Sequence, residues 1–324
     1  MKIGVFGCGA YGMALSNIFI DNKHDVTIWT RSEEKKKEIE KERKISKLEG
    51  FIVPNTLKIT TSIKECTNDK QLIVIAVPAA HVDELCQELK KHVNENQHIL
   101  IATKGIEQGT GLFMHSIVQK YIKTENIAIV SGPSFAVDII TRKPVGLSLA
   151  SKSAETTLFA RDALCNQYIK VRETYDIYGV EICCSIKNVI ALAAGMLEGL
   201  KANDSTKAML ITEAVHDMEQ ILEAYNCEKR TVLSFAGIGD LLLTCNSPKS
   251  RNYSFGKLIG ERVGKEAIAE YLKNTTVEGY YTLESIYQLL KDKQVYIPII
   301  DLIYEIVVGG KDPELLLMFL IIKS

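Results

Sequence analysis

A single lysine stands in the middle of an almost wholly apolar stretch. Residues 179–200 read GVEICCSIKNVIALAAGMLEGL, with Lys187 and Asn188 near the centre. Apolar residues on nearly every face predict a buried helix. Burial disfavours the charged form of an ammonium group and lowers its pKa toward the range where it exchanges protons near neutrality. The stretch therefore predicts proton-transfer chemistry at Lys187 or, equally from this helix alone, a side chain that reaches past apolar neighbours to solvent.

Two later stretches also carry groups suited to chemistry. Ser250, Arg251 and Asn252 supply a hydroxyl, a guanidinium fork and an amide, which suit a phosphate dianion. Residue types alone allow a plain loop equally well. Asp240 follows a glycine and precedes three leucines, where an aspartate commonly caps a helix. It could also balance the charge of Lys187, and the two roles are compatible.

The chain opens with a strand-like run at residues 2–6, a glycine-rich loop and a helical pattern. The loop comprises Gly7, Gly9 and Gly12 of a GxGxxG motif together with Cys8, Ala10 and Tyr11. In this context the glycines provide a tight turn, close approach of backbone to a pyrophosphate, and close packing of helix on sheet. The motif alone is weak and can arise by chance, but its position between a strand and a helix predicts dinucleotide binding.

The residues after the second predicted strand bear on the choice of cofactor. This strand, at residues 25–29, is followed by Thr30 and Arg31. NAD-specific proteins usually place an acid here for the ribose 2′-hydroxyl, whereas an arginine suits a 2′-phosphate. The sequence therefore favours NADP over NAD, with Arg31 as a solvated helix-start residue as the alternative.

Alternating strand and helix patterns fill the rest of the first half. Further strands are predicted at residues 72–77, 98–103, 126–131 and 146–150. This alternation indicates a doubly wound, Rossmann-type α/β sheet, in which ligands bind beyond the carboxyl ends of the strands. Lys104, Gly132 and Ser134 lie at such ends and are candidates to line one crevice with Val77. From residue 178 onward the pattern is helical, which predicts domains at 1–177 and 178–324, the second all-α.

Composition excludes several classes of protein. A net charge of −1 gives no global field for nucleic acid or anionic lipid, and the charge-rich run at 32–47 is typical of a solvated helical face. The eight cysteines lack metal-ligand spacing and are interpreted as buried structural thiols of a reducing compartment, so no metal is expected. Charged residues within 179–200 argue against a membrane span, and no secretory signal is recognised at the start. A cytoplasmic protein is expected, and the sequence leaves the oligomeric state open, a homodimer included.

Several motifs in a fixed order carry a family resemblance along essentially the whole chain. They are the GxGxxG, TKG at 103–105, SGPSFA, IKNVIALAAGM, AGIGDLLLTC, SPKSRN and VEG at 277–279. In this order they resemble bacterial NAD(P)-dependent glycerol-3-phosphate dehydrogenase. The chain departs from the family pattern at Ala10, usually serine, at Lys47, usually aromatic, and at Glu213 and Ala214, usually Arg-Gly.

The resemblance implies an enzyme that interconverts dihydroxyacetone phosphate and sn-glycerol 3-phosphate with NAD(P)H and supplies phospholipid synthesis. Lys187 would donate or accept the proton. The implied substrate contacts are Lys104, Gly132, Ser134, Lys187, Asp240, Ser250, Arg251 and Asn252. The implied cofactor contacts, beside the glycine loop with Ala10, are Tyr11, Arg31, Lys104, Ala136, Arg251 and Glu278.

Two other functions remain open at this stage. One is another two-domain reductase, such as a ketopantoate or 3-hydroxyacyl reductase, against which the SPKSRN set and Lys104 argue. The other is a protein that senses a dinucleotide without catalysis, in which Lys187 is structural. A panel of keto substrates distinguishes all three.

Overall fold

The computed structural model describes residues 1–290 and 292–322, which form two compact units. Unit 1 comprises Met1–Lys104 and Phe113–Ile177, and unit 2 comprises Gly105–Leu112 and the chain from Tyr178 onward. The sequence analysis had placed residues 105–112 in the first domain. They group with unit 2 because Gly111 approaches the backbone of Leu289 so closely that a Cβ would lie 2.9 Å from its nitrogen.

Unit 1 is a sheet of eight strands, counted among the described residues, with the order β3-β2-β1-β4-β5-β6-β7-β8. Neighbouring strands are parallel except β6 and β7, which are antiparallel. The strands are β1 (Lys2–Phe6), β2 (Asp25–Trp29), β3 (Lys58–Thr60), β4 (Leu72–Ile75), β5 (His98–Ile101), β6 (Ile127–Ser131), β7 (Val145–Ser151) and β8 (Ile169–Thr174). The helices of unit 1 are α1 (Ala10–Asp21), α2 (Glu33–Glu42), α3 (Ile63–Thr67), α4 (Val82–Leu89), α5 (Met114–Tyr121), α6 (Ala136–Ile139) and α7 (Ala154–Leu164).

The predicted Rossmann-type sheet is confirmed, with differences at its edges. β1 and β2 have the predicted bounds, and β4 and β5 end two residues earlier than predicted. Two edge strands were missed. β3 has three residues, and β8 is polar with one fully buried residue, so neither shows the continuous apolar run of the central strands. The predicted helix at 32–47 ends at Glu42, because Arg43 adopts a left-handed conformation with φ 50°.

Unit 2 is helical in its described part. Its helices are α8 (Ile177–Gly199), α9 (Asp204–Ala224), α10 (Asp240–Cys245), α11 (Arg251–Gly260), α12 (Lys265–Asn274), α13 (Glu278–Leu290), α14 (Pro298–Val307) and α15 (Leu315–Ile322). Helix α8 has the length and composition of a membrane span, but the window with these properties is wholly buried inside the structure. It is the buried helix that the sequence predicted around Lys187.

Two glycines allow α8 and α11 to pack with their backbones in close contact. A Cβ on Gly195 of α8 would lie 2.0 Å from the carbonyl oxygen of Tyr253, and one on Gly256 of α11 would lie 1.9 Å from that of Leu192. Both distances are far below van der Waals contact, so any larger residue must push the helices apart. This packing places the start of α11, where Arg251 lies, beside the helix that carries Lys187.

We expect Gly256→Ala to destabilise the protein by about 3 kcal/mol, the upper end of the range for overpacked cores, because the obstructing atom is backbone and cannot turn aside. Thermal and urea unfolding measure the change. Lys257→Ala, at an adjacent and partly exposed position of the same helix, is the control and should shift stability by less than about 0.5 kcal/mol. Equal stability of Gly256→Ala and wild type would contradict the close packing.

A buried carboxylate on α9 holds the start of α14. Asp217 Oδ2 accepts a hydrogen bond from the backbone N–H of Ile300 at 2.9 Å, and the residue is 2 % exposed. Burial raises the pKa of Asp217 to about 7, helped by Asp301 and Glu213 and opposed by the backbone amides of Ile299 and Ile300. Glu213, one of the departures from the family pattern, therefore adds negative charge near this buried acid.

Candidate active site

The loop between β1 and α1 has the geometry that the GxGxxG motif predicted. Gly7 has a φ of +126°, which a residue with a side chain rarely adopts. A Cβ on Gly12 would lie 1.9 Å from the carbonyl oxygen of Gly7, so a side chain at this position would clash with the backbone. A Cβ on Gly9, in contrast, would meet nothing within 4 Å. The fold thus requires glycine at positions 7 and 12. The open space beside Gly9 would let a pyrophosphate come close to the backbone of the loop.

Loops at the carboxyl ends of β4, β5 and β6, which were predicted to line one crevice, are joined to one another by hydrogen bonds. The Thr103 hydroxyl donates to the carbonyl oxygen of Val77 at 2.7 Å. Lys104 Nζ donates to the carbonyl oxygen of Gly132 at 3.2 Å, and Ser134 Oγ donates to the same oxygen at 2.9 Å. Ser134 is 5 % exposed. The structure therefore brings together Lys104, Gly132 and Ser134.

Tyr11 connects the glycine loop to this group. Its hydroxyl lies 3.2 Å from Ser134 Oγ, and the centre of its ring lies 5.7 Å from Lys104 Nζ. Since Ser134 donates its proton to Gly132, the Tyr11 hydroxyl is the donor in this contact. Two further predicted cofactor residues lie at helix starts, Ala10 as the first residue of α1 and Ala136 as the first residue of α6.

Arg31 lies directly beyond β2 and forms an ion pair. Its Nη2 lies 3.1 Å from Glu84 Oε2 in the first turn of α4, and both side chains are more than half exposed. From the sequence, Arg31 was predicted to be a phosphate contact or a solvated residue. The pairing with Glu84 was not foreseen, because the two residues lie 53 positions apart.

In unit 2 the Lys187 side chain forms a buried ion pair. Its Nζ lies 2.6 Å from Asp240 Oδ2 and donates to Thr244 Oγ at 3.3 Å. The side chains of Lys187 and Asp240 are 6 % and 2 % exposed. Lys187 therefore does not reach past its neighbours to solvent, and the carboxylate compensates the cost of burying the ammonium.

Asp240 is the first residue of its helix and does not occupy the N-cap position. The N-cap of α10 is Gly239, which makes no side-chain cap, and the Asp240 carboxylate is turned to Lys187. Of the two roles considered for Asp240, the structure shows charge compensation. The segment Phe235–Gly239 precedes it and is kinked at Gly237 (φ −85°, ψ −111°), whose N–H donates a hydrogen bond to Ser234 Oγ at 3.2 Å.

The start of α11 presents an exposed guanidinium. Ser250 is the N-cap, and its Oγ accepts the backbone N–H of Tyr253 at 3.2 Å. Arg251 is the first helical residue and is exposed, and within the described residues its guanidinium has no ion-pair partner. A helix N-terminus attracts anions through its free N–H groups and its dipole. This end of α11 can therefore bind a phosphate.

Asn252 is buried, and its side chain links α11 to α8 and to α13 by hydrogen bonds. Its amide nitrogen donates to Asn188 Oδ1 at 2.9 Å, and its Oδ1 accepts the backbone N–H of Gly279 at 2.9 Å. Asn188 in turn donates to Glu278 Oε2 at 3.3 Å. Asn188 was seen in the sequence beside Lys187 but was not proposed as a site residue. Its position one residue after the candidate Lys187 in a buried helix was the available signal.

Most of the cysteines are buried as predicted, whereas Cys165 is exposed and Cys227 is half-buried. Six of the eight are buried, and all eight are free thiols. Burial raises the pKa of Cys245, against the opposing effect of the nearby Lys187, so its thiol stays protonated. In the described part of the chain no three His, Cys, Asp or Glu side chains are grouped so as to hold a metal ion.

A Rossmann-type unit with a loop shaped for pyrophosphate, and a helical unit with a buried lysine–aspartate pair, define a nicotinamide-dependent oxidoreductase. Comparison with known families agrees. Residues 2–157 match the model of the NAD-dependent glycerol-3-phosphate dehydrogenase N-terminus, and residues 176–318 match that of the C-terminus. The chain belongs to the NAD-dependent glycerol-3-phosphate dehydrogenase family.

Individual relatives and a solved structure are similar over nearly the whole chain. A glycerol-3-phosphate dehydrogenase [NAD(P)+] of Fusobacterium nucleatum is 34% identical over 316 residues, which cover 96% of this chain and 94% of the relative. That of Leptospira biflexa is 34% identical over 321 residues, 97% of this chain and 95% of the relative. The crystal structure of glycerol-3-phosphate dehydrogenase from Coxiella burnetii is matched with a TM-score of 0.92 at 27% identity, covering 99% of each chain.

These findings confirm the predicted family, the fold class, an NAD(P)-dependent oxidoreductase, and the interconversion of dihydroxyacetone phosphate and glycerol 3-phosphate. The roles of individual residues and the preference for NADP stay predictions.

Proposed function

We propose that this protein acts in the cytoplasm, uses NADPH in preference to NADH to reduce dihydroxyacetone phosphate, and supplies sn-glycerol 3-phosphate for phospholipid synthesis. The observation that carries the proposed mechanism is the buried Lys187–Asp240 pair, with 2.6 Å between Nζ and Oδ2. A buried ion pair often adds no more stability than apolar residues of similar volume, so stability alone gives little reason for this pair. Proton transfer to a developing alkoxide is a function suited to lysine.

Lys187 donates the proton in this mechanism. A nicotinamide cofactor held by the glycine loop of unit 1 would supply a hydride to C2 of the substrate, and the C2 oxygen would then need a proton. Lys187 Nζ gives its proton to that oxygen, while the Asp240 carboxylate and Thr244 Oγ hold the ammonium in place. In the reverse direction neutral Lys187 accepts the proton from the hydroxyl.

The start of α11 holds the substrate phosphate in this proposal. Arg251 offers a guanidinium fork at the first helical position, and the Ser250 hydroxyl can donate because its bond to Tyr253 uses it only as an acceptor. The Asn252 side chain is largely occupied by Asn188 and Gly279, so we assign it to orienting the helix start as much as to direct contact. Holding the phosphate fixes C2, so that remote binding energy positions the reacting carbon.

The remaining predicted contacts are proposed as follows. In unit 1, Lys104, Gly132 and Ser134 contribute to substrate binding, and the glycine loop with Ala10, Tyr11, Arg31 and Ala136 contributes to cofactor binding. In unit 2, Glu278 and Arg251 contribute to cofactor binding. Their support is the hydrogen bonding described above and the placement of Ala10, Ala136 and Glu278 as first residues of helices.

A substrate panel tests the proposed function. The purified protein should oxidise NADPH with dihydroxyacetone phosphate at a kcat/KM well above that with ketopantoate or a 3-oxoacyl thioester. Highest activity with either of the latter would show a different reductase. Tight cofactor binding without oxidation by any keto substrate would show a sensing protein.

We expect Gly9→Ala to weaken NADPH binding at least about tenfold, equivalent to 1.4 kcal/mol, because the added methyl group enters the space proposed for the pyrophosphate. The melting temperature should stay unchanged, since a Cβ at Gly9 meets nothing within 4 Å. Gly12→Ala is the matched contrast and should lower the melting temperature, because its Cβ would lie 1.9 Å from the Gly7 oxygen. Unchanged NADPH affinity in Gly9→Ala would place the pyrophosphate elsewhere.

We expect Arg251→Ala to raise the KM for dihydroxyacetone phosphate at least about tenfold, since charge-assisted hydrogen bonds contribute about 1.5 to 3 kcal/mol each. NADPH binding should weaken as well, because Arg251 is also a predicted cofactor contact. Arg251→Lys retains the charge without the fork and should be intermediate. An unchanged KM in Arg251→Ala would show that the phosphate binds at another place.

A further inference from the structure

We infer that Glu84 is a specificity-determining residue that limits the preference for NADPH by holding the Arg31 guanidinium. This inference rests on the proposed binding of NADP or NAD by unit 1. Arg31 lies in the loop after β2, and the inference adds to it a second residue of opposite charge on helix α4.

The sheet order brings these two residues together. Arg31 lies beyond β2 and Glu84 in the first turn of α4, which follows β4, and β2 and β4 flank β1 on either side. The carboxyl ends of all three strands meet at the edge where the glycine loop begins. Arg31 Nη2 and Glu84 Oε2 are 3.1 Å apart, and His81 Nδ1 lies 3.9 Å from the same carboxylate oxygen.

Other acids on α4 are engaged elsewhere. The Asp83 carboxylate accepts from Lys120 Nζ at 3.0 Å and from the Tyr121 hydroxyl at 2.8 Å. Glu88 pairs with Lys91 at 2.8 Å. Glu84 is therefore the acid of this helix that faces Arg31.

The pair has opposite consequences for the two cofactors. A 2′-phosphate that binds Arg31 must displace the Glu84 carboxylate from the guanidinium, and loss of this ion pair costs free energy. A ribose 2′-hydroxyl carries no charge and can donate a hydrogen bond to a carboxylate, as in NAD-specific proteins. Glu84 therefore disfavours NADPH without disfavouring NADH, so that the wild-type protein accepts both cofactors.

The test is a titration of NADPH and NADH by fluorescence in the absence of substrate, at low ionic strength. Glu84→Gln should raise the ratio of NADPH affinity to NADH affinity about fivefold, the effect of one partly exposed ion pair. Arg31→Gln should lower this ratio, and Arg31→Asp should reverse the preference. In the double variant Arg31→Gln/Glu84→Gln, the effect of Glu84→Gln should be lost if it acts through Arg31.

Glu88→Gln is the matched control, because it removes the same charge from the same helix and leaves the Arg31 pair intact. An unchanged ratio in Glu84→Gln, an equal change in Glu88→Gln, or an effect that persists in the double variant would each overturn the inference. If neither cofactor binds wild-type protein, the proposed function fails as well. If both bind and Glu84→Gln leaves their ratio unchanged, only the role of Glu84 fails.

Discussion

Lys187→Met is expected to lower kcat for dihydroxyacetone phosphate by about 10² to 10⁴, the range contributed by a positioned general acid or base. Methionine fills a similar volume and offers no proton. The affinity for NADPH should stay nearly unchanged, because Lys187 is proposed to act on the substrate oxygen and is not among the proposed cofactor contacts. Steady-state kinetics and cofactor titration measure the two quantities. Retention of more than about a tenth of the wild-type kcat by the folded variant would contradict the proposed role.

A loss of activity in Lys187→Met must be distinguished from a loss of stability. Lys187→Met leaves the buried Asp240 carboxylate without its counter-charge, which commonly costs about 3 to 5 kcal/mol. The double variant Lys187→Met/Asp240→Leu removes both charges and should recover much of that stability. It should remain as inactive as the single variant. Recovery of activity together with stability would show that Lys187 serves only the fold.

Asp240→Asn is expected to lower kcat by about 10², because the ammonium loses the preorganised negative charge that holds it at 2.6 Å. As a positioning residue Asp240 should affect kcat more than KM, and it should shift the pH dependence of kcat because that charge stabilises the protonated lysine. Asp240→Glu keeps the charge with a longer side chain and should recover part of the activity. A change in stability with wild-type kcat and pH profile would assign Asp240 to the fold alone.

The sequence predicted those elements whose burial leaves a pattern in the chain. β1 and β2 were predicted with their observed bounds because central strands of a parallel sheet are continuous apolar runs. Helix α8 was predicted for a similar reason, since it is apolar on nearly every face. The polar edge strand β8 leaves no such pattern, and the grouping of residues 105–112 with unit 2 depends on contacts distant in sequence.

The same distinction holds for the candidate site. Gly7 and Gly12 were predicted with their structural reasons because the motif is local. The pair of Lys187 with Asp240 was one of two compatible roles considered for Asp240, and the structure was needed to show it. The contacts Tyr11–Ser134, Asn188–Asn252 and Arg31–Glu84 join residues 53 to 123 positions apart, and no rule of local spacing predicts them.

The most direct test of the central claim is the oxidation of NADPH by dihydroxyacetone phosphate with purified wild-type protein and identification of the product. The account predicts steady turnover that depends on the phosphorylated ketone and yields sn-glycerol 3-phosphate, with the unphosphorylated ketone a far poorer substrate. Binding of NADPH without any oxidation that depends on dihydroxyacetone phosphate would contradict it.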